Sequence, residues 1–280
     1  MTKTIIARDF ELELTLESGQ FFQYKRYRDG FLVWVGEAVF FAGQEGDKIR
    51  LEGISEAKFR HIFCLDVDYS GILDSISVDE HMKKAIALFR GLRLMRQEFY
   101  ECLIAYVCSA NSNIPKITKN VRLMSEFYGK EKTILGNKVF LFPKPGLLCD
   151  EDRIREAKTG FRAKYICGIN GVVDESWIKK LKGLDYESAK IRLMELPGVG
   201  PKVADCVLLF SLDYPEAFPI DVWIRRAMCG LYFGQKQVPD GEIYRFARAH
   251  FGRYCGWANQ FLFLAIRNKA FGNLKGIDTR

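Results

Sequence analysis

Apolar and polar residues alternate from Phe10 to Glu17, with Phe10, Leu12, Leu14 and Leu16 set against Glu11, Glu13, Thr15 and Glu17. A period of two predicts a half-buried β-strand. Asp29-Gly30 predicts a hairpin turn between the extended runs Phe21–Arg28 and Phe31–Phe40, and the stretch Gly43–Asp47 punctuates the next one. Residues 1–80 therefore read as an antiparallel sheet domain. From residue 81 the period becomes helical. Ala85, Phe89 and Leu92 open it, and Phe99, Leu103, Tyr106 and Val107 form a second apolar stripe. Asn111-Ser112-Asn113-Ile114-Pro115 breaks that helix, and Pro115 suits the first turn of the next. Phe142-Pro143-Lys144-Pro145-Gly146 reads as a rigid connector. The predicted class is α+β, with a sheet domain over residues 1–80 and a helical domain over residues 81–280.

Within the helical part, residues 187–210 read as two helices joined by a tight hairpin. Ile191, Leu193, Met194 and Leu196 precede the turn Pro197-Gly198-Val199-Gly200, and Val203, Cys206, Val207 and Phe210 follow it at helical spacing. Pro201 suits the first turn of the second helix. Gly198 and Gly200 allow positive φ and close backbone approach. Such a turn aims free N–H groups outward at a helix N-terminus, where a DNA phosphate fits. An ordinary helical corner without ligand explains the turn equally well.

Lys202 then changes the picture. It falls on the polar side of the second helix, opposite the Val203/Cys206/Val207 stripe, and Asp205 at i+3 offers it a simple surface pairing. Its place at a helix N-terminus disfavours a positive charge, and burial would do the same. Both favour the neutral, nucleophilic amine, which can attack a sugar carbon and form a Schiff base. Asp221, in Phe218-Pro219-Ile220-Asp221-Val222, is placed as the N-cap of a helix carrying Ile224, Ala227, Met228 and Leu231. Capping bonds and the helix dipole are expected to keep it ionised, as an oxocarbenium-like sugar cation requires of its neighbour.

With these residues in place the chain resembles the 8-oxoguanine DNA glycosylase/AP lyase family of the helix-hairpin-helix glycosylase superfamily. The resemblance runs over nearly the whole length. It is anchored at Ser18-Gly19-Gln20-x-Phe22, Arg93 to Ile117 (with Cys108-Ser109-x-Asn111-x-Asn113-Ile114), Gly160 to Tyr165, Leu196 to Cys206, Pro219 to Val222 and Gly256-Trp257-Ala258. It implies an N-terminal antiparallel sheet domain followed by a helix-hairpin-helix glycosylase domain. It implies Lys202 as Schiff-base nucleophile and Asp221 as its acidic partner. Gly19 matches the glycine whose carbonyl accepts from the N7–H that 8-oxoguanine has and guanine lacks. Cys206 and Phe263 match the pair that sandwiches the flipped base. Asn111 matches the residue that fills the gap in the duplex, Phe161 an aromatic wedge, and Arg162 a donor to the estranged base.

Three positions depart from the family pattern. Asn259 stands where glutamine often reads the Watson–Crick edge, and Gln260 beside it should be turned about 100° away. Lys116 stands where longer members carry an arginine that helps read the opposite cytosine, and lysine lacks the planar fork. Trp223 stands where some members have histidine. On the residues alone, Ser18-Gly19-Gln20 reads as a strand-closing turn, Asn111 to Pro115 as a capped polar loop, and Cys206 and Phe263 as core.

Composition adds little. The chain has 280 residues, 42 basic against 35 acidic, for a formal charge of +7. That mild excess suits a polyanion without establishing one. Eight scattered cysteines lack zinc or iron–sulfur spacing and read as free thiols in a reducing compartment. No metal is therefore expected and no cofactor required, although outward carbonyls at the hairpin could ligate a cation. No signal peptide, targeting segment or membrane span is apparent, and the expected location is cytoplasmic, or nucleoid-associated in a prokaryote. The expected partner is duplex DNA containing 8-oxoguanine, met by a monomer that excises the base and cuts the strand by β-elimination. Two alternatives stay open: a glycosylase for another oxidised base, and a non-catalytic helix-hairpin-helix DNA-binding module.

Overall fold

The structure is a computed structural model, and it describes residues 2–272. Strands β1 (Thr2–Ile6), β2 (Tyr24–Tyr27), β3 (Gly30–Val35), β4 (Ala38–Glu45) and β5 (Lys48–Glu52) form an antiparallel sheet in the order β1-β5-β4-β3-β2. A short helix, α1 (Leu12–Glu17), lies between β1 and β2. Beyond the sheet come α2 (Glu56–Ile62), α3 (Tyr69–Ile76), α4 (Glu80–Leu88), α5 (Phe99–Val107) and α6 (Ile114–Tyr128). A small hairpin, β6 (Glu131–Ile134) and β7 (Asn137–Phe140), precedes α7 (Glu151–Ile154), α8 (Ala163–Asn170), α9 (Glu175–Leu181) and α10 (Tyr186–Met194). The chain continues through α11 (Pro201–Ser211), α12 (Val222–Leu231), α13 (Asp240–Phe251) and α14 (Cys255–Arg267).

The first predicted strand is a helix. Leu12, Thr15 and Leu16 are its buried residues, the i, i+3, i+4 spacing of one helical face, while Leu14 is only half-buried. The alternation misled because Thr15 is buried too: its hydroxyl oxygen accepts from Arg93 N–H at 3.2 Å. Gln44 starts the helix, its Oε1 accepting from Leu12 N–H at 2.6 Å. The Asp29-Gly30 turn lies as expected, but β4 runs through Gly43 and turns only at Gly46-Asp47, and an unpredicted turn at Gly36-Glu37 separates β3 from β4.

Both faces of β3 are covered, so almost all of Gly30–Val35 is buried. Phe31, Val33 and Val35 join Leu16, Phe59 and Phe63 in one core. Leu32 and Trp34 pack on the other face with Val139 of β7 and Leu141 just after it. Packing passes to the helical core between Phe63 and Tyr69, earlier in the chain than the helical periodicity begins. That larger core draws on α5, α11 and α14, with Tyr100, Leu208 and Phe261 fully enclosed. Among the described residues no helix is long and apolar enough to cross a membrane.

Candidate active site

A cavity of about 760 Å³ opens between the Gly19 loop, the end of α5, the hairpin before α11, the start of α12 and α14. Gly19, Asn111, Gly198, Gly200, Lys202, Cys206, Asp221, Asn259 and Phe263 all line it. These residues come from five separate stretches of chain, and the fold brings them to one place. A second cavity of about 510 Å³, bordered by Lys58, Arg96, Glu98 and Lys182, holds none of them.

The hairpin forms as its sequence dictates. Gly200 is the N-cap residue of α11 and Pro201 fills its first turn. Gly198 has φ +75°, and a Cβ there would lie 2.6 Å from the Tyr165 ring. Gly200 has an ordinary φ of −97°, so only the first of the two glycines needs the left-handed region. Tyr165 in turn meets Phe161 edge-on at 6.2 Å, which ties that exposed ring to the hairpin.

Lys202 is half-buried at the start of α11. Its Nζ donates to Ser109 Oγ at 2.9 Å and lies 4.9 Å from the centre of the Tyr106 ring. It does not pair with Asp205. That carboxylate is fully buried and accepts from Lys190 at 2.8 Å and from the hydroxyls of Tyr186 and Tyr244. Nor does Lys202 stand opposite Cys206, because residues four apart share a helical face and both line the cavity. Burial pushes the Cys206 thiol up to about 12, against the opposing Lys202 charge. A thiol so protonated is a poor nucleophile at neutral pH.

Asp221 caps α12, its Oδ1 accepting from Ile224 N–H at 2.8 Å. Burial moves the carboxyl above its ordinary value, opposed by the Ile224 N–H and the Lys202 charge. Capping bonds and the helix dipole favour the ionised form, but desolvation outweighs the capping bond because the cap lines the cavity.

Gly19 lies just beyond α1, after the C-cap Ser18, with φ +89°. A Cβ there would fall 2.6 Å from Ile114 Cδ1 and 2.8 Å from Arg267 Nη1, so the ends of those two side chains would have to shift, and the positive φ strains any residue but glycine. Gln20 fixes the loop from within: its Oε1 accepts from Met95 N–H at 2.8 Å and its Nε2 donates to the Arg93 carbonyl at 2.8 Å. Asn259 is buried and donates to the Pro219 carbonyl at 3.0 Å. Gln260 is not turned away, since it lines the cavity and its Nε2 reaches the Ser18 carbonyl at 3.4 Å. Arg267 joins it there at 3.2 Å.

Three nominated residues lie outside the cavity lining. Lys116 is exposed on the first turn of α6, whose N-terminus Asn113 caps at 3.0 Å. Phe161 is 51% exposed. Arg162 is not presented to a ligand as expected: it is 2% exposed and donates to the carbonyls of Ala110 at 2.9 Å, Asn111 at 3.1 Å and Thr159 at 3.0 Å. It clasps the loop that bears Asn111, which has φ +47°. Sequence reasoning assigned no role to Ser109, Tyr106, Gln260 or Arg267. Arg267 was accessible in principle, because it follows Phe263 by four on one helix.

The eight cysteines are all free. Among the described residues no group of three or more His, Cys, Asp or Glu side chains could hold a metal ion.

The chain is similar to known proteins along almost its whole length. The family model of the 8-oxoguanine DNA glycosylase N-terminal domain matches residues 4–103. The structure of MBOgg1 in complex with a low affinity DNA ligand is 33% identical, with a TM-score of 0.90 over 96% of each chain. The 8-oxoguanine glycosylase/lyase of Clostridium acetobutylicum, solved with double-stranded DNA containing cytosine opposite 8-oxoG, is 31% identical, with a TM-score of 0.87 over 96% of this chain and 98% of its own. A protein of Methanothermobacter thermautotrophicus named "Probable N-glycosylase/DNA lyase" is 29% identical over 91% of this chain and 93% of its own length. A cavity uniting Lys202 with Asp221, a sheet joined to a helix-hairpin-helix body, and likeness along almost the whole chain lead to one conclusion: the chain belongs to the 8-oxoguanine DNA glycosylase family of the helix-hairpin-helix superfamily.

Proposed function

We propose that the chain is a bifunctional DNA glycosylase/AP lyase that excises 8-oxoguanine from duplex DNA and then nicks the strand. One observation carries the reading: the Lys202 amine and the Asp221 carboxyl line the same cavity as Gly19 and the Cys206/Phe263 pair. The cavity has room for a flipped nucleotide, which an enzyme acting on a base within a duplex must extrude. Asn111 and the exposed Phe161 ring suit the gap left behind, and the N–H groups of the hairpin suit a phosphate.

The chemistry follows from the groups present. As the N-glycosidic bond breaks, its electron pair leaves with the base, which takes up a proton. The ionised Asp221 carboxylate opposes the positive charge that develops on the sugar. The Lys202 amine bonds to C1′ and loses a proton, and opening of the sugar ring leaves an iminium. That iminium acidifies the C2′ proton. Its removal sends the C–H electrons toward the iminium and expels the 3′ phosphate, breaking the C3′–O bond. Water then hydrolyses the imine and frees Lys202. No cofactor enters these steps, and a monomer suffices because one chain supplies every group.

The test is a duplex carrying a single 8-oxoguanine. The reading predicts free 8-oxoguanine together with a strand break on the 3′ side of the lesion. Tight binding with the duplex left intact would favour the non-catalytic DNA-binding module. Release of an oxidised pyrimidine but not of 8-oxoguanine would favour the other alternative.

A further inference from the structure

Ser109 follows α5 and precedes the loop that carries Asn111. Its backbone N–H donates to the Tyr106 carbonyl at 3.0 Å, and its hydroxyl donates to the same carbonyl at 2.6 Å. The one proton of the hydroxyl is thereby committed, so toward Lys202, 2.9 Å away, the oxygen acts only as an acceptor. Little freedom is left to it. The next two carbonyls, of Ala110 and Asn111, are clasped by the buried Arg162. Tyr106, beneath the amine, is held by its hydroxyl on the Gln20 carbonyl at 3.1 Å and by stacking on Phe210 at 5.6 Å.

A lysine amine sits on four rotatable carbons and needs an external partner to hold one orientation. We propose that Ser109 is the positioning residue for the nucleophile. Its oxygen takes one N–H of Lys202 and turns the lone pair of the neutral amine into the cavity, and it takes the remaining N–H once the iminium has formed. The inference rests on Lys202 being the nucleophile. It adds that the rate of attack depends on a hydroxyl that binds neither base nor phosphate. Orientation of a reacting pair is a large term in catalysis, and a small misplacement is felt in the rate.

The experiment compares wild type with Ser109→Ala, Ser109→Thr and Ser109→Val under single-turnover conditions. Threonine and valine have the same shape and differ in the hydroxyl, so this pair decides even where alanine disturbs folding. The readouts are the rate of 8-oxoguanine release, the borohydride-trapped adduct, and affinity for a duplex with an uncleavable tetrahydrofuran abasic analogue. Ser109→Ala and Ser109→Val should lose roughly tenfold or more in release rate and adduct formation, with analogue affinity within a factor of about two, and Ser109→Thr should recover most of the rate. Equal rates for the threonine and valine variants would overturn the proposal, as would a fall in affinity that matches the fall in rate. Lys202→Gln separates the two claims: if it stays active, the nucleophile assignment itself fails, whereas an inactive Lys202→Gln beside a fully active Ser109→Val removes only the role of Ser109.

Discussion

At the scale of single residues, the cavity works by constraint. Gly19 is required by its positive φ, and a Cβ there would also displace the ends of the Ile114 and Arg267 side chains that border the cavity. Gly19→Ala should therefore cut 8-oxoguanine release at least tenfold while leaving binding to an abasic analogue near normal; a gel assay of base release beside a binding titration reads both. Asp221 supports a second expectation. Its carboxyl is raised by burial and must be ionised to face a cationic sugar. The single-turnover rate should thus fall on acidification through a limb above the ordinary carboxylate range, and that limb should vanish in Asp221→Asn. The sequence already pointed to Lys202 and Asp221, because spacing from the hairpin is a local property. It could not show that Ser109 holds the amine or that Arg162 faces inward. Those contacts join positions 93 and 52 residues apart in the chain, and no periodicity encodes them.

At the scale of elements, α11 must be held in register for Lys202 to point correctly. Asp205 does this from inside, accepting from Lys190 of α10 and from the hydroxyls of Tyr186 on α10 and Tyr244 on α13. Removing one partner of a buried ion pair strands the others and costs about 3–5 kcal/mol. Asp205→Ala should lose stability of that order in urea unfolding, and activity should decline with it. An unchanged midpoint would show that the network is idle. The hairpin and α5 were legible because their apolar stripes repeat at helical spacing. Helix α1 was not, because its leucines fall on every second position while Thr15, the buried polar residue, imitates a solvent-facing one. The β6–β7 hairpin also escaped notice, since four-residue strands carry too little pattern to identify.

At the scale of the whole molecule, the sheet and the helical body meet at Glu101. This carboxyl on α5 accepts from Gly36 N–H at 3.5 Å in the turn between β3 and β4, and burial, with help from Glu98, pushes it up to about 8. The folded protein keeps a proton here that the unfolded chain releases near the ordinary value of 4.5. Stability from this group is therefore full below that value and is lost as pH rises toward 8, with a slope of at most about 1.4 kcal/mol per unit. Chemical unfolding across that range should show the decline in wild type and a flatter profile in Glu101→Gln. The class of fold and the order of sheet and helices were readable from the change of period along the chain. The place where one core hands over to the other was not, because α2 and α3 are short helices that divide their apolar residues between two cores.

The central claim is that Lys202 is the nucleophile in 8-oxoguanine excision. Borohydride trapping on a duplex with one 8-oxoguanine tests it most directly, with wild type beside Lys202→Gln. The account predicts a covalent protein–DNA adduct with wild type and none with the variant, although both bind the duplex. An adduct formed equally by Lys202→Gln, or none formed by a folded and bound wild type, would contradict it.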